Sequence, residues 1–282
     1  GDIAFGNADI FLRADQTISS IQAVRGGSAS TLASNAPGGV INFISKTGKE
    51  EGGVVMATLG LDYEEYRLDF NYGAKLGDRT RFNIGGFWRE GEGPRKAGYN
   101  GNSGYQIKAN LTQEFDSGFI RLYAKRLDDR AIGYLPMPTL VTGTNADPKF
   151  QSLPGFNIKS ATPHSALFTT DFGLDGNNNR RTTKVTDGMH PVVNTLGLEA
   201  EFEIADGLKL EERFRWSDVS GRFVSPFPAD VAGAQGIANS TGAYLLTGDF
   251  AGAVPAGTTF SLRYANGANA GQAVNAASIN GN

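Results

Sequence analysis

The 282-residue sequence contains no cysteine, which excludes disulfides, thiolate metal sites and cysteine nucleophiles. Its only two histidines, His164 and His190, make a histidine-rich metal centre or a standard catalytic triad unexpected. No run of about 18 apolar residues is present, and the first residues lack the charged and apolar regions of a signal peptide. The 26 Lys and Arg nearly balance the 29 Asp and Glu, which argues against a nucleic-acid partner.

Glycine and phenylalanine are abundant, with 38 and 18 residues, as in β-rich proteins. Apolar and polar residues alternate strictly over long stretches, and this period of two predicts strands. The six clearest are Tyr66–Leu76, Arg81–Arg89, Tyr105–Phe115, Ile120–Lys125, Leu196–Ile204 and Leu208–Trp216. Val54–Leu61 is predicted as a weaker strand before them. The polar residues of one segment, Glu199, Glu201 and Glu203, are therefore expected on the inner, concave face.

The connections between these strands differ in length. Tight turns at 77–78, 116–118 and 206–207 alternate with long polar links at 91–104 and 128–191. Short turns on one side, long loops on the other and strands of roughly 9–11 residues are typical of an outer-membrane barrel. A soluble β-sandwich would show the same alternation, but not the loop asymmetry. Glu212 departs from the pattern, because it lies on the apolar face.

Residues 1–49 follow a different pattern. A predicted strand, Ile18–Val24, leads into Arg25-Gly26, and a loop of small residues then reaches Gly38-Gly39 and the segment Val40–Lys46. This arrangement resembles the end of the plug domain of TonB-dependent outer-membrane receptors. That family typically shows Arg-Gly-Pro, then Tyr-Gly, then Gly-Gly-Val-Ile-Asn. Here Gly27 occupies the proline position, and Leu32 and Ala33 occupy the Tyr-Gly positions.

The resemblance implies a plug inside a barrel of roughly twenty-two strands. We therefore expect residues 1–49 to be the C-terminal part of a plug domain. Residues 50–282 are expected to be the N-terminal part of an all-β, antiparallel transmembrane barrel with about seven strands. Loops 128–191 and 218–282 would be extracellular. The terminal aromatic residue and the TonB box of such receptors are missing, so the chain is expected to be an internal fragment of a longer receptor.

The function implied is active uptake of a scarce solute, such as a siderophore or oligosaccharide, across the bacterial outer membrane. The implied partners are TonB, outer-membrane lipid and a small-molecule or oligosaccharide ligand; no enzyme activity, cofactor or metal is expected. A passive porin and a soluble β-rich glycan-binding protein are the alternatives. A glycan-active enzyme is disfavoured, because the carboxylates of Leu196–Ile204 and Leu208–Trp216 simply line one strand face.

Candidate site residues follow from the motif and the loops. The plug–barrel lock is assigned to Arg25, Gly26, Gly38 and Gly39, with Arg25 expected to be buried; the alternative is a surface arginine that ends a strand. Ligand-binding candidates are Leu32, Asn35, Tyr134, Phe156, His164 and Phe168, although loop packing explains the aromatic residues equally well. A solvated turn is favoured over a calcium loop at 175–179. Prolines in 128–191 are expected to disfavour strand pairing.

Overall fold

The computed structural model describes residues 8–27, 38–227, 231–247, 250–265 and 267–281. They belong to two compact units. The first unit falls within residues 1–91, 100–131 and 187–223, and the second within 92–99, 132–186 and 224–282.

Strands dominate the described residues. In chain order they are β1 (Ile18–Arg25), β2 (Gly39–Ser45), β3 (Gly52–Leu59), β4 (Tyr66–Lys75), β5 (Thr80–Gly91), β6 (Asn102–Phe115), β7 (Gly118–Arg130), β8 (Leu140–Thr144), β9 (Asp147–Gln151), β10 (Thr170–Leu174), β11 (Arg180–Lys184), β12 (Met189–Ala205), β13 (Leu208–Phe223), β14 (Val231–Gly233) and β15 (Ile279–Gly281). One α-helix, α1 (Ala234–Ala243), and 3-10 turns at Ala8–Phe11 and Val185–Asp187 complete the described elements.

The first unit is built on a seven-stranded antiparallel sheet in the order β3-β4-β5-β6-β7-β12-β13. The predicted all-β class and the seven predicted strands are confirmed, with bounds that differ by at most seven residues. Chain neighbours pair throughout, except that β12 returns beside β7 after the long segment 131–188. β1 and β2 form a separate hairpin in the same unit.

The sheet has short connections at one end and longer ones at the other. Residues 76–79, 116–117 and 206–207 join β4 to β5, β6 to β7 and β12 to β13. In the last of these turns Gly207 has φ +72°, a conformation that glycine adopts without steric cost. Segments 60–65, 92–101 and 131–188 leave the opposite end, as the loop asymmetry predicted.

The apolar face of the sheet is exposed and its polar face is covered, the reverse of the usual arrangement in a water-soluble protein. Paired residues in an antiparallel sheet share a face, so the register assigns every side chain to one side. The open face is apolar, and its exposed side chains include Val55, Leu59, Leu68, Tyr72, Ile84, Trp88, Ile107, Leu111, Leu122, Leu196, Phe214 and Trp216. The covered face is polar, and its buried side chains include Asp69, Asn71, Arg81, Asn83, Gln106, Thr112, Asp129 and Thr195.

The second unit contains three two-stranded ribbons, β8–β9, β10–β11 and β14–β15, together with α1. The expectation that prolines in 128–191 disfavour strand pairing is wrong at β9, where Pro148 pairs with Gly143. In a ribbon of two strands, a proline can turn its missing donor away from its partner. No helix in the described part of the chain is long and apolar enough to cross a membrane.

Gly48, which follows β2, lies close against the backbone of β5. It is buried with φ +75°, and an added Cβ would overlap the backbone carbonyl oxygen of Phe82 in β5. Gly48→Ala should cost about 1–2 kcal/mol for the backbone conformation and about 1–3 kcal/mol more for overpacking. Thermal unfolding of the full-length protein measures this. Gly207→Ala is the matched control, because its φ is +72° in open space; equal losses would contradict the close approach.

Candidate functional site

Residues 11–17, here called the N-terminal segment, lie on the polar face of the sheet in the first unit. Strands β4 to β7 supply the side chains that hold this segment. The alternation of each strand turns these groups to one side, and the register brings them together. Five side chains contact the segment directly, and Arg89 binds one of them, Asp129. Together they are here called the wall cluster: Arg67, Arg89, Gln106, Lys108, Lys125 and Asp129.

An apolar socket receives one end of the N-terminal segment. Phe87, Leu127 and Val193, from β5, β7 and β12, form a buried cluster, and Phe11 packs against it. The guanidinium of Arg67 lies 4.1 Å above the Phe87 ring, a cation–π contact. The backbone carbonyl of Phe11 accepts a hydrogen bond from Lys125 Nζ at 3.0 Å. Phe11 is therefore fixed through both its ring and its main chain.

Asp129 is the ionic centre of the wall cluster. Its side chain is fully buried. It accepts hydrogen bonds from Arg13 Nε at 2.7 Å and from Arg89 Nε and Nη2 at 2.8 Å each. Arg89 also donates to the backbone carbonyl of Arg130 at 3.0 Å. Hydrogen bonds from guanidinium groups to a carboxylate are charge-assisted and stronger than those between neutral groups. Asp129 thus joins one arginine of the N-terminal segment to one of the sheet.

A second polar contact lies at Asp15. This carboxylate accepts hydrogen bonds from the backbone and side chain of Thr17, which shape a tight turn, and from Gln106 Nε2. Lys108 Nζ lies 3.5 Å from it. Gln106 also donates to the backbone carbonyl of Arg13 at 3.0 Å, and Arg67 Nη2 donates to that of Ala14 at 2.9 Å. Main chain and side chains of the N-terminal segment are therefore both bound.

The β1–β2 hairpin begins where the N-terminal segment ends. The backbone N–H of Lys46 donates to the carbonyl of Thr17 at 2.8 Å, and Asn110 Nδ2 of the sheet donates to the Lys46 carbonyl at 2.9 Å. The first bond joins the two ends of the hairpin to each other, and the second attaches Lys46 to the sheet.

The residues of the predicted lock lie at the far end of this hairpin. Arg25 and Gly39 are register partners, and Gly26 N–H donates to the Gly38 carbonyl at 3.3 Å. Gly26 has φ +77°, a backbone conformation that glycine adopts without steric cost. Arg25 is exposed, so the expectation that its side chain is buried is wrong in this structure. Its assignment as a plug–barrel lock stays a prediction.

A cavity of about 840 Å³ separates β2 from the polar face. Arg121 crosses its floor, donating to Glu199 Oε2 at 2.5 Å and to Thr112 Oγ1 at 3.0 Å. Glu199 pairs with Arg121 and Glu201 with Phe119 in the register, so both carboxylates lie on the polar face. The register thus confirms that Glu199 and Glu201 share the polar face, whereas the concave position predicted for Glu199, Glu201 and Glu203 stays a prediction. The paired charges and hydroxyl groups here form a hydrophilic surface.

The ligand-binding candidates are dispersed. Leu32 and Asn35 lie outside the described residues. In the second unit, Tyr134 packs edge-on against His164 at 6.5 Å between ring centroids. The His164 side chain is buried, with 3% exposure.

Two further aromatic candidates close tight turns. Phe156 bridges to Leu153, and Phe168 bridges to Ser165 and is exposed. The structure therefore does not gather the loop aromatics into one site within the described residues, and their role in ligand binding stays a prediction.

The Asp175 carboxylate accepts hydrogen bonds from residues of its own turn, Asp175–Asn179. Asp175 Oδ1 accepts the backbone N–H groups of Asn177 and Asn179 at 2.9 Å, and Oδ2 accepts Asn179 Nδ2 at 3.1 Å. These hydrogen bonds, led by that from the Asn179 backbone, lower the pKa of Asp175. Among the described residues, no group of three or more His, Cys, Asp or Glu side chains is placed to hold a metal ion.

The sequence reasoning missed the N-terminal segment and Asp129. The available signal was the run Arg126–Arg130, where alternation inverts and consecutive charges follow a strand. Such a run is also typical of a solvated loop. Contact with a segment more than a hundred residues away is visible only in three dimensions.

Comparison with known proteins adds no relative. No protein-family model matches the chain, and no curated protein matches it. The family is therefore proposed from the motif and the fold.

Proposed function

We propose that this chain is part of a TonB-dependent outer-membrane receptor, with the end of a plug seated on the first strands of a barrel wall. The observation that carries the proposal is the inverted sheet: its polar face is covered and its apolar face is open. A soluble sandwich buries its apolar faces. An outer-membrane barrel turns its apolar side chains outward to lipid and its polar side chains to the lumen.

The height of the apolar band supports lipid contact. On the open face, Leu196 and Trp216 form one apolar row across β12 and β13, and the row beyond it contains Asn194 and Asp218. Arg126 of β7 extends that polar row and donates to Asn194 Oδ1 at 2.7 Å. The polarity of this face thus changes between neighbouring rows, with a tryptophan at the boundary, where aromatic girdles occur.

The opposite border of the band lies near the short turns. Apolar residues on the open face of β12 continue from Leu196 to Phe202 and Ile204, which is the length of roughly 9–11 residues that a tilted strand needs to cross a bilayer. Phe202 and Phe115 contact each other at 5.7 Å near this end. Glu212 lies two residues from Leu210 and close to the short turn, where an acidic residue costs less than at the midplane.

The wall cluster supports a plug rather than an open pore. The N-terminal segment occupies the polar face through a buried ionic network and an apolar socket. A passive porin requires no such occupant. In the proposed receptor, TonB acts on the plug, the long segments between strands capture the ligand outside the cell, and uptake involves no covalent chemistry.

Planar-bilayer recording of the full-length protein tests this proposal without knowledge of the ligand. The intact protein should insert and show no steady conductance, because the plug closes the lumen. A variant truncated to begin at Glu50 should give stable open channels, since the occupant of the polar face is removed. Steady conductance of the intact protein would favour the porin alternative. Failure of both forms to enter lipid would contradict a membrane barrel.

A further inference from the structure

His164 joins three separate segments of the second unit. Its Nδ1 lies 2.7 Å from Tyr99 Oη, and its Nε2 lies 3.2 Å from Ser225 Oγ. Ser225 Oγ in turn donates to the Gly133 backbone carbonyl at 2.7 Å. Tyr99, Gly133 and Ser225 come from segments 92–99, 132–186 and 224–282, which the strands of the sheet separate in sequence. One imidazole therefore ties together chain segments that have no local connection.

The proton positions follow from the partners. Ser225 has one hydroxyl proton, and the Gly133 carbonyl can only accept, so the serine donates there. His164 Nε2 must then carry a proton and donate to Ser225. In the neutral imidazole this leaves Nδ1 as an acceptor for the Tyr99 hydroxyl. The hydrogen bonds run in one direction, from Tyr99 through His164 and Ser225 to Gly133.

This direction distinguishes the cluster from a nucleophilic serine site. A general base must accept the proton of the serine that it activates. Here Ser225 donates to a carbonyl instead, and His164 donates to Ser225. With His164 3% exposed, the imidazole is also covered. The arrangement therefore serves to connect segments rather than to activate a hydroxyl.

We propose that His164 is an acid-sensitive pin, which holds these three segments together while it is neutral and releases them when it is protonated. A proton on Nδ1 would turn this nitrogen from an acceptor into a donor, so Tyr99 could no longer donate to it and the one-way chain of hydrogen bonds would be lost. It would also place a charge in a covered site lined by Tyr99 and Tyr134, the titratable side chains that contact the imidazole from two of the segments.

The electrostatics of the site agree with this geometry. Burial lowers the pKa of His164, and the Gly133 carbonyl opposes that shift in part. Burial also raises the pKa of Tyr99 to about 12, so its hydroxyl remains a donor. An unfolded histidine takes up a proton around pH 6.5, above the lowered folded value, so the unfolded state binds more protons in acid. The pin is therefore strongest above about pH 6.5 and weakens as pH falls toward the folded pKa.

The consequence for the protein rests on the proposed function. If the sheet is a barrel wall, the three segments are external loops, and the pin preorganises them for capture of a ligand. Acid would then loosen the loops while the wall cluster, which belongs to the first unit, keeps the plug in place.

Limited proteolysis of the full-length protein in detergent tests the pin, with proteinase K at pH 7.5 and pH 5.0. Rates are normalised to an unfolded substrate at each pH, and mass spectrometry locates the cuts. Cleavage within 132–186 should be several-fold faster at pH 5.0 than at pH 7.5, because protonation of His164 releases the segments that the imidazole joins. His164→Asn should be cut rapidly at both pH values. His190→Asn is the matched control, because it removes the only other histidine, and it should keep the pH dependence.

A second measurement covers the case in which His164→Asn fails to fold. With two histidines in this chain, ¹⁵N-histidine labelling should show His164 as the Nε2–H tautomer at pH 7.5, titrating below its ordinary pKa. Equal wild-type cleavage at both pH values, retained pH dependence in His164→Asn, or an Nδ1–H tautomer would overturn the pin. These measurements are independent of membrane insertion and conductance, so the pin and the receptor proposal can fail separately.

Discussion

Replacing Asp129 by asparagine in the full-length protein should release the N-terminal segment from the wall and open a steady leak. The carboxylate of Asp129 is fully buried between Arg13 and Arg89, whose side chains are 21% and 14% exposed. The amide keeps the shape of the carboxylate but removes its charge, which leaves two largely covered guanidinium groups without their shared partner. Breaking a buried pair in this way costs about 3–5 kcal/mol.

The leak is measured as single-channel conductance in planar bilayers and the stability loss as the midpoint of thermal unfolding. Asp128→Asn is the matched control, because the neighbouring carboxylate lies on the opposite face and binds Arg126 and His190 instead. It should leave the lumen closed. A double-mutant cycle with Arg13→Ala separates the plug from the wall: the coupling should be large if Arg13 and Asp129 act as one contact. A closed and fully stable Asp129→Asn protein would contradict this role.

The sheet was predictable because the side chains of each strand alternate between an apolar face and a polar face. Alternation in Tyr66–Leu76 or Leu208–Trp216 requires no knowledge of partners, since a period of two already separates apolar from polar side chains. The short turns set the order of neighbouring strands in the same way. Thus the strands, their antiparallel order and the face of Glu199 follow from local sequence.

The strand ends were not predictable, for a physical reason. β7 was predicted to end at Lys125 but continues to Arg130, and β12 begins at Met189 rather than Leu196. In these extensions the alternation inverts: Leu127 and Val193 lie on the polar face, where they form the socket for Phe11, whereas Arg126 lies on the open face. An alternation pattern assigns one apolar and one polar face to a whole strand. In β7 and β12 this assignment reverses partway along the strand.

The candidate site depended even more on distant contacts. Arg13 and Asp129 are 116 residues apart, and neither belongs to a recognisable motif. The plug–barrel lock was predicted at Arg25 instead, because this arginine belongs to the plug-like motif. A motif indicates which family a chain resembles. The burial and the partners of a residue depend instead on the fold of the chain. His164 illustrates the same limit, because its burial comes from residues that are distant in sequence, Tyr99 and Ser225.

Replacing Leu122 by arginine should abolish assembly of the full-length protein in the outer membrane. Leu122 is 53% exposed in the middle of β7 on the open face, between Leu111 of β6 and Leu198 of β12. In a water-soluble protein, arginine at a half-exposed surface position changes stability by only about 0.5 kcal/mol. At the midplane of a bilayer the same substitution on the lipid face of a barrel costs about 2–4 kcal/mol.

Leu122→Arg should therefore cost much more stability in lipid than in water. The amount of folded protein in outer-membrane fractions measures this difference. Ser217→Arg is the matched control, because Ser217 is exposed on the polar face beside Arg215, where a lumen tolerates charge. We expect near-normal levels of Ser217→Arg and little or no folded Leu122→Arg. Equal levels of the two variants would mean that water, not lipid, meets the apolar face. The inverted sheet would then need a protein partner to cover it, because an exposed apolar surface of this extent is unstable in water.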